Sequence, residues 1–223
     1  MKPRPLAVKL AVFDCDGTLI DGQASICAAM EQAFAEFGLP LPRRNDIRRA
    51  VGLSLPQAIR TLLPEAEVAQ HLALTEAYKL AFRAARQSGE LQQPLFAGMA
   101  GLLGELRSAG WLLGVATGMS RRGLDHCLAT HSLSGHFITL QTADDHPSKP
   151  HPAMLEAALQ EAGAEPQAAV MIGDTVFDIC MAEAAHVRGI GVEWGYHAPR
   201  ELIAAGASSV AANPAQLGEI LGL

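Results

Sequence analysis

From Leu6 to Phe13 every position is apolar except Lys9, and the run ends abruptly in Asp14-Cys15-Asp16-Gly17-Thr18. A short, continuous apolar run bounded by turn residues is the pattern of a strand buried on both faces of a parallel sheet. The period then changes. Ala24, Ile26, Cys27, Met30, Ala33, Phe34 and Phe37 recur at helical spacing until Gly38 and Pro40. Shorter helical stretches follow at Asp46–Val51, stopped by Gly52, and at Leu55–Leu63, stopped by Pro64. Glu65–Arg86 reads as a long amphipathic helix closed by Ser88-Gly89. With no strand pattern between Gly22 and Gln92, this block is too long for a simple crossover. It predicts an inserted, all-helical cap domain over 22–92, hinged near Asp21–Ser25 and Glu90–Phe96, with 1–21 and 93–223 forming the core domain.

The second half alternates. Apolar runs at Trp111–Ala116, Phe137–Thr142, Ala168–Ile172 and Gly189–Trp194 read as strands, with a weaker one at Ser209–Ala211. Helical patterns fall before and between them at Met99–Ser108, Ser120–Thr130, Pro152–Ala162, Thr175–Ala185, Pro199–Ala205 and Gln216–Leu221. Alternation at this spacing indicates right-handed βαβ units and a doubly wound, Rossmann-like α/β fold around a parallel sheet.

Composition narrows the function classes. The chain has 223 residues, of which 49% are hydrophobic and 18% charged, enough apolar surface for buried strands and helices. A net charge of −6 gives no general attraction to nucleic acid or an anionic membrane, and no segment reaches the ~20 apolar residues of a membrane span. Cys15, Cys27, Cys127 and Cys180 lack metal or disulfide spacing and suggest a reducing compartment. Met1-Lys2-Pro3-Arg4 leads into a strand containing Lys9 rather than a signal peptide, so the expected location is cytoplasmic.

In a doubly wound sheet, sites form at the carboxyl ends of strands. Four such ends carry polar residues. Asp14 and Asp16 close the first, where two carboxylates near a core call for a compensating cation. Thr117-Gly118 closes the second, and Ser120 can cap the following helix, an arrangement suited to a phosphate group. Lys149 stands among Pro147, Pro150 and Pro152, which restrict the backbone around one ammonium. Asp174 ends the fourth apolar run, with Asp178 one helical turn further on. Each feature alone also has a plain structural reading as a turn exit, helix cap, solvated loop lysine or first-turn acid. His146 and His151, without further ligands, read as structural.

The four features together, Asp14-x-Asp16-Gly17-Thr18, Thr117, Lys149-Pro150-x-Pro152 and Gly173-Asp174-x-x-x-Asp178, resemble the four ordered motifs of the haloacid dehalogenase superfamily of phosphohydrolases. The helical insert after the first motif resembles the phosphoglycolate phosphatase and β-phosphoglucomutase branch. Gly189–Val192, Trp194-Gly195-Tyr196 and the Arg-Glu-Leu at 200–202 look like the C-terminal segment of the former. One departure is Met119, where many relatives carry a longer polar side chain.

The resemblance implies an Mg²⁺-dependent phosphatase acting on a small phosphorylated metabolite. Asp14 would be the nucleophile, Asp16 the general acid and base, and Thr117, Gly118 and Lys149 the phosphate contacts. Mg²⁺ would bind the Asp14 carboxylate, the Asp16 carbonyl and Asp174, with Asp178 orienting the site from behind. Asp16 favours phosphoester cleavage, because the dehalogenase branch usually lacks an acid there. Arg49, beside the turn Gly52-Leu53-Ser54, is the expected cap contact to substrate, since a guanidinium can grip a carboxylate or second phosphate bidentately. A sugar-phosphate mutase shares all four motifs. A receiver-like phosphate-binding protein shares the acids, Thr and Lys but lacks an insert between its first two strands. Neither the substrate nor the oligomeric state is readable.

Overall fold

The computed structural model describes residues 8–223. Residues 1–7, among them Leu6 and Ala7 of the apolar run, lie outside the described residues; Val8 and Lys9 precede the strand, and β1 is Leu10–Phe13. The other strands are β2 (Leu112–Thr117), β3 (Thr139–Thr142), β4 (Ala169–Gly173), β5 (Arg188–Val192) and β6 (Ser209–Ala211). All pair in parallel in the order β3-β2-β1-β4-β5-β6. Leaving β1, the chain builds first to one side and then to the other, so β1 borders the switch point where α/β sheets bind ligands.

Residue alternation along β1 builds a core on both faces, as the unbroken apolar run requires. Ala11 and Phe13 face Leu102, Leu103 and Leu106 of α5 (Met99–Ser108) and Leu124 of α6 (Arg121–Thr130). Leu10 and Val12 face Met154 and Leu155 of α7 (Ala153–Ala162) and Met181 of α8 (Val176–Ala184). Helices α9 (Pro199–Ala204) and α10 (Pro214–Leu221) complete the layers. No helix among the described residues is long and apolar enough to cross a membrane.

Between β1 and α5 lie α1 (Gln23–Glu36), α2 (Arg44–Ala50), α3 (Leu55–Leu62) and α4 (Val68–Ser88). They bury a separate apolar cluster that includes Met30, Phe34, Ile47, Ile59 and Leu74. The chain enters and leaves this block through a short two-stranded crossing. Ile20 bridges Leu95, Asp21 N–H donates to Pro94 O, and Phe96 N–H donates to Leu19 O. Ser25 Oγ and the backbone of Gln92 exchange hydrogen bonds beside it.

Element edges differ from the sequence pattern by a few residues. The long helix α4 starts at Val68 rather than Glu65, because Ala66 N–H bonds back to Leu63 O in a turn and Glu67 takes the cap position. Strand β3 starts at Thr139, the residue paired with Gly114, so the apolar Phe137 and Ile138 precede the ladder.

Candidate active site

In the sheet register Phe13 lies between Val115 and Ile172. The residues that follow β1, β2 and β4 therefore emerge side by side. Asp14 extends the ladder by one bond, its N–H donating to Ile172 O at 2.9 Å. Thr117 is the buried last residue of β2, and Asp174 follows Gly173 at the end of β4.

Lys149 enters from the loop between β3 and α7 and is fully buried. Its Nζ lies 2.8 Å from Asp14 Oδ1 and 2.6 Å from Asp178 Oδ1. Asp178 is held on its other oxygen by Thr175, whose N–H and hydroxyl donate at 3.0 and 2.7 Å. That contact is one half of a capping box at the start of α8, so the helix terminus itself fixes the acid that fixes the lysine. Asp174 accepts from the Thr18 hydroxyl and the Tyr196 N–H, both at 2.9 Å. Gly17, at φ +86°, and Gly195 press against this carboxylate so closely that a Cβ on either would run into it.

Burial raises the Asp14 carboxyl to about 6, with Lys149 pulling it down and Asp178 pushing it up. Burial and the neighbouring Asp14 raise Asp16 to about 7. Asp174 is pushed well above the usual carboxylate range by burial, then by Asp14 and Asp178. Burial disfavours the Lys149 ammonium, yet the two carboxylates it touches more than offset this and hold its pKa above the ordinary lysine value.

The donor set fits a hard divalent cation. One oxygen each of Asp14, Asp174 and Asp178 lies within 4.8 Å of the others. Asp14 Oδ2 is buried yet accepts no hydrogen bond from the described residues. Three clustered carboxylates against one lysine leave excess negative charge that an oxygen-coordinated divalent cation would neutralise. Both oxygens of Asp178 and both of Asp174 already accept hydrogen bonds, so among the three acids Asp14 Oδ2 is the oxygen left without a partner among the described residues.

From Asp14, Asp16, Thr117 and Gly118 a cavity of about 490 Å³ opens toward the helical insert. The insert closes down on the sheet at several points. The carbonyl oxygens of Gly52 and Leu53 lie against Gly118 where any Cβ would stand, and Ser54 N–H donates to Ser148 Oγ at 2.8 Å. His197 Nδ1 accepts from Val176 N–H, which puts the proton on Nε2, and that nitrogen reaches Arg49 O at 3.2 Å.

The expected substrate contact, Arg49, takes a different partner. Its guanidinium forks onto Glu201 of α9 at 2.9 and 3.2 Å, and Arg49 is not among the residues lining the cavity. It clasps the insert to the core. Met119 does line the cavity, and its N–H donates to Thr117 Oγ1 at 3.3 Å. His146 bonds Gln141, and His151 accepts from Ala153 N–H at the start of α7. The sequence assigns no contact to Thr18, Thr175 or the Tyr196 N–H, although Thr18 lies inside the first motif and Tyr196 inside the Trp194-Gly195-Tyr196 segment.

The family description of haloacid dehalogenase-like hydrolases matches residues 11–192. The "Probable phosphatase IndB" of Dickeya dadantii is 34% identical over 201 residues, covering 88% of this chain and 86% of that one. A phosphoglycolate phosphatase of Pseudomonas putida is 31% identical over 207 residues, covering 91% of this chain and 75% of that protein. The crystal structure of a hydrolase from Pseudomonas syringae superposes with a TM-score of 0.85 at 27% identity, over 96% of this chain and 97% of that chain. With this architecture and this match, the chain belongs to the haloacid dehalogenase-like hydrolase family, as one of its phosphatases.

Proposed function

We propose that the chain hydrolyses a small phosphomonoester, phosphoglycolate or a similar metabolite, with Mg²⁺ as cofactor and an aspartyl-phosphate intermediate. The observation that carries this reading is the pairing of Asp14, buried with one unpartnered oxygen, with the fully buried Lys149 at the mouth of a cavity. A bound Mg²⁺, held by Asp14, Asp174 and the Asp16 carbonyl, would supply Lewis-acid polarisation and charge neutralisation at the phosphoryl group.

The chain's own groups divide the work. The Asp14 carboxylate attacks phosphorus while the bond to the leaving oxygen breaks, and Asp16 gives that oxygen its proton. Asp16, now ionised, takes a proton from the water that attacks the phospho-aspartate. The bond between phosphorus and Asp14 then breaks and releases inorganic phosphate. A carboxyl poised at about 7 suits both directions of transfer at neutral pH. Lys149 neutralises the nucleophile and the transferring phosphoryl group, and Thr117 and Gly118 position its oxygens. Asp178 acts through Lys149. Residues 22–92 form the cap that shields the site from water, with 1–21 and 93–223 as the core.

The deciding experiment is phosphate release from phosphomonoesters by the purified protein, with Mg²⁺ and without any bisphosphate activator. Steady release supports the hydrolase; release that depends on a bisphosphate would establish a mutase instead.

Two further outcomes are expected. Gly118→Ala sets a methyl group against the Gly52 and Leu53 carbonyls, and overpacking of this kind costs about 1–3 kcal/mol. The closed cap should become scarcer, and kcat/KM in the phosphate-release assay should fall roughly fivefold or more. Unchanged kinetics would show that closure does not bring these backbones together.

The second outcome concerns pH. Asp14 and Asp16 titrate near 6 and 7 in the folded chain, against 3.8 for an ordinary Asp. Between about 4 and 7 the folded state therefore binds more protons than the unfolded state, and stability present at acid pH is lost as pH rises through that window. Asp174 acts in the same direction, whereas His126 and His197, both lowered chiefly by burial, oppose it. Bound Mg²⁺ competes with those protons. In chelator-treated protein Tm should fall from pH 5 to 7.5, and added Mg²⁺ should raise Tm more at 7.5 than at 5. An equal Mg²⁺ effect at both values would refute the carboxylate site.

A further inference from the structure

The cavity, phosphoryl contacts included, is larger than a two-carbon phosphate needs. At about 490 Å³ it falls within the ~300–1,000 Å³ that encloses a drug-sized molecule. Its walls are apolar where the insert covers it, with Ile26, Met30, Leu55, Tyr78 and Phe82 opposite Met119 of the core.

Apart from Asp14 and Asp16, the charged groups on the cavity are Lys79, Arg83 and Arg86 of α4, Arg122 of α6, and Asp144. Lys79 is paired with Glu76 at 2.8 Å, and Asp144 accepts the Arg121 N–H at 2.8 Å. Among the described residues no carboxylate lies within ion-pairing distance of Arg83, Arg86 or Arg122. Arg86 Nε is buried without a hydrogen-bond partner, and its guanidinium carbon stands 6.0 Å from the Phe82 ring centroid. Burial, then the charges of Arg122 and Arg83, lower the Arg86 pKa, so the three cations are near enough to repel. Arg83 and Arg122 are exposed at the cavity and Arg86 is half-buried, so insert and core together present a cationic group to which no carboxylate among the described residues is paired.

We propose that Arg83, Arg86 and Arg122 bind a second oxyanion, borne at the far end of a phosphomonoester whose apolar or aromatic body fills the cavity beneath the insert. The phosphatase reading supplies the head group at Asp14; the arginines select the tail. Guanidinium groups match carboxylate and phosphate oxygens bidentately, and Phe82 and Tyr78 offer ring faces to the body. Phosphoglycolate, with its carboxylate one carbon from the ester oxygen, lacks such a body.

The test measures binding by calorimetry in the Mg²⁺-loaded protein. Benzylphosphonate, which cannot be hydrolysed, is compared with its 4-carboxy and 4-phosphono derivatives. Either or both derivatives should bind at least about tenfold more tightly than the parent, and which one gains more identifies the tail. In Arg86→Gln and in Arg122→Gln that advantage should shrink to less than about threefold. Equal affinity for all three ligands, or an advantage retained in both variants, would overturn the proposal. Phosphate release by the native protein, measured on phenyl phosphate and on the 4-carboxy and 4-phosphono derivatives of benzyl phosphate, separates the two readings. No release alongside an intact tail advantage removes the hydrolase and leaves the anion site, whereas release without the advantage does the reverse.

Discussion

Asp14→Asn should abolish turnover while leaving the folded protein at least as stable at neutral pH. The amide has the volume of the carboxylate but is not a nucleophile toward phosphorus. Loss of a covalent nucleophile costs on the order of 10⁵- to 10⁶-fold in kcat. Stability should not follow activity downward, because the Asp14 carboxylate is fully buried, raised to about 6, and only partly compensated by Lys149. A neutral amide avoids that desolvation, and Lys149 keeps its 2.6 Å contact to Asp178. The checks are phosphate release at high enzyme concentration and a thermal melt of metal-free protein at pH 7.5. Residual turnover above about one part in 10³ would remove Asp14 as nucleophile. A large fall in Tm would mean that the carboxylate supports the fold as well as the chemistry.

The strand ends were legible because burial on both faces forces an uninterrupted apolar run, so the first polar residue marks where the sheet stops. That is why Asp14, Thr117 and Asp174 could be placed beside one another before any coordinates, and the register of Phe13 with Val115 and Ile172 fulfils it. The helical block was legible for a similar reason, since helical spacing from Ala24 to Arg86 leaves no room for a strand; the order β3-β2-β1-β4-β5-β6 was not, because periodicity does not say which strands pair. The helix edges were not legible either. Glu65 follows Pro64 and looked like a start, but the turn closed by Ala66 N–H delays α4 to Val68.

What periodicity cannot give is the direction in which a cap helix points. Arg49 looked like a free cation next to a glycine turn; its partner Glu201 lies in α9 and is reached only after the chain has built the whole sheet. Arg83 and Arg86 lie in the last turns of α4 and Arg122 in the first turn of α6, and nothing in the sequence pattern joins them. Only folding brings them onto one cavity. Backbone donors were equally hidden. Trp194-Gly195-Tyr196 was recognised as a segment resembling that of the phosphoglycolate phosphatases, but not that its turn after β5 sets the Tyr196 N–H on Asp174 and presses Gly195 against that carboxylate.

Lys149→Met should cost both stability and activity, and the pH at which each is measured should matter. The side chain is fully buried and bridges Asp14 and Asp178. Methionine fills similar space without charge, leaving two carboxylates facing each other in the core. Breaking a buried ion pair from one side costs about 3–5 kcal/mol, or a fall of roughly 6–20 °C in Tm for a chain of this size. Without the ammonium, only the Cys15 backbone still opposes burial and Asp178 at Asp14, so its pKa climbs beyond about 6. The nucleophile is then protonated at neutral pH, and the cation that would meet the phosphoryl charge is gone, so kcat should drop on the order of 10³-fold or more. Protonating Asp14 relieves the repulsion. The Tm deficit of the metal-free variant should therefore be largest above pH 7 and shrink toward pH 5, whereas a simple cavity in the core would give a deficit independent of pH. Lys149→Arg should not rescue either property, since the larger planar guanidinium meets close packing on every side. A variant with native turnover, or a Tm deficit equal at pH 5 and pH 8, would show that Lys149 is not the charge that holds the nucleophile.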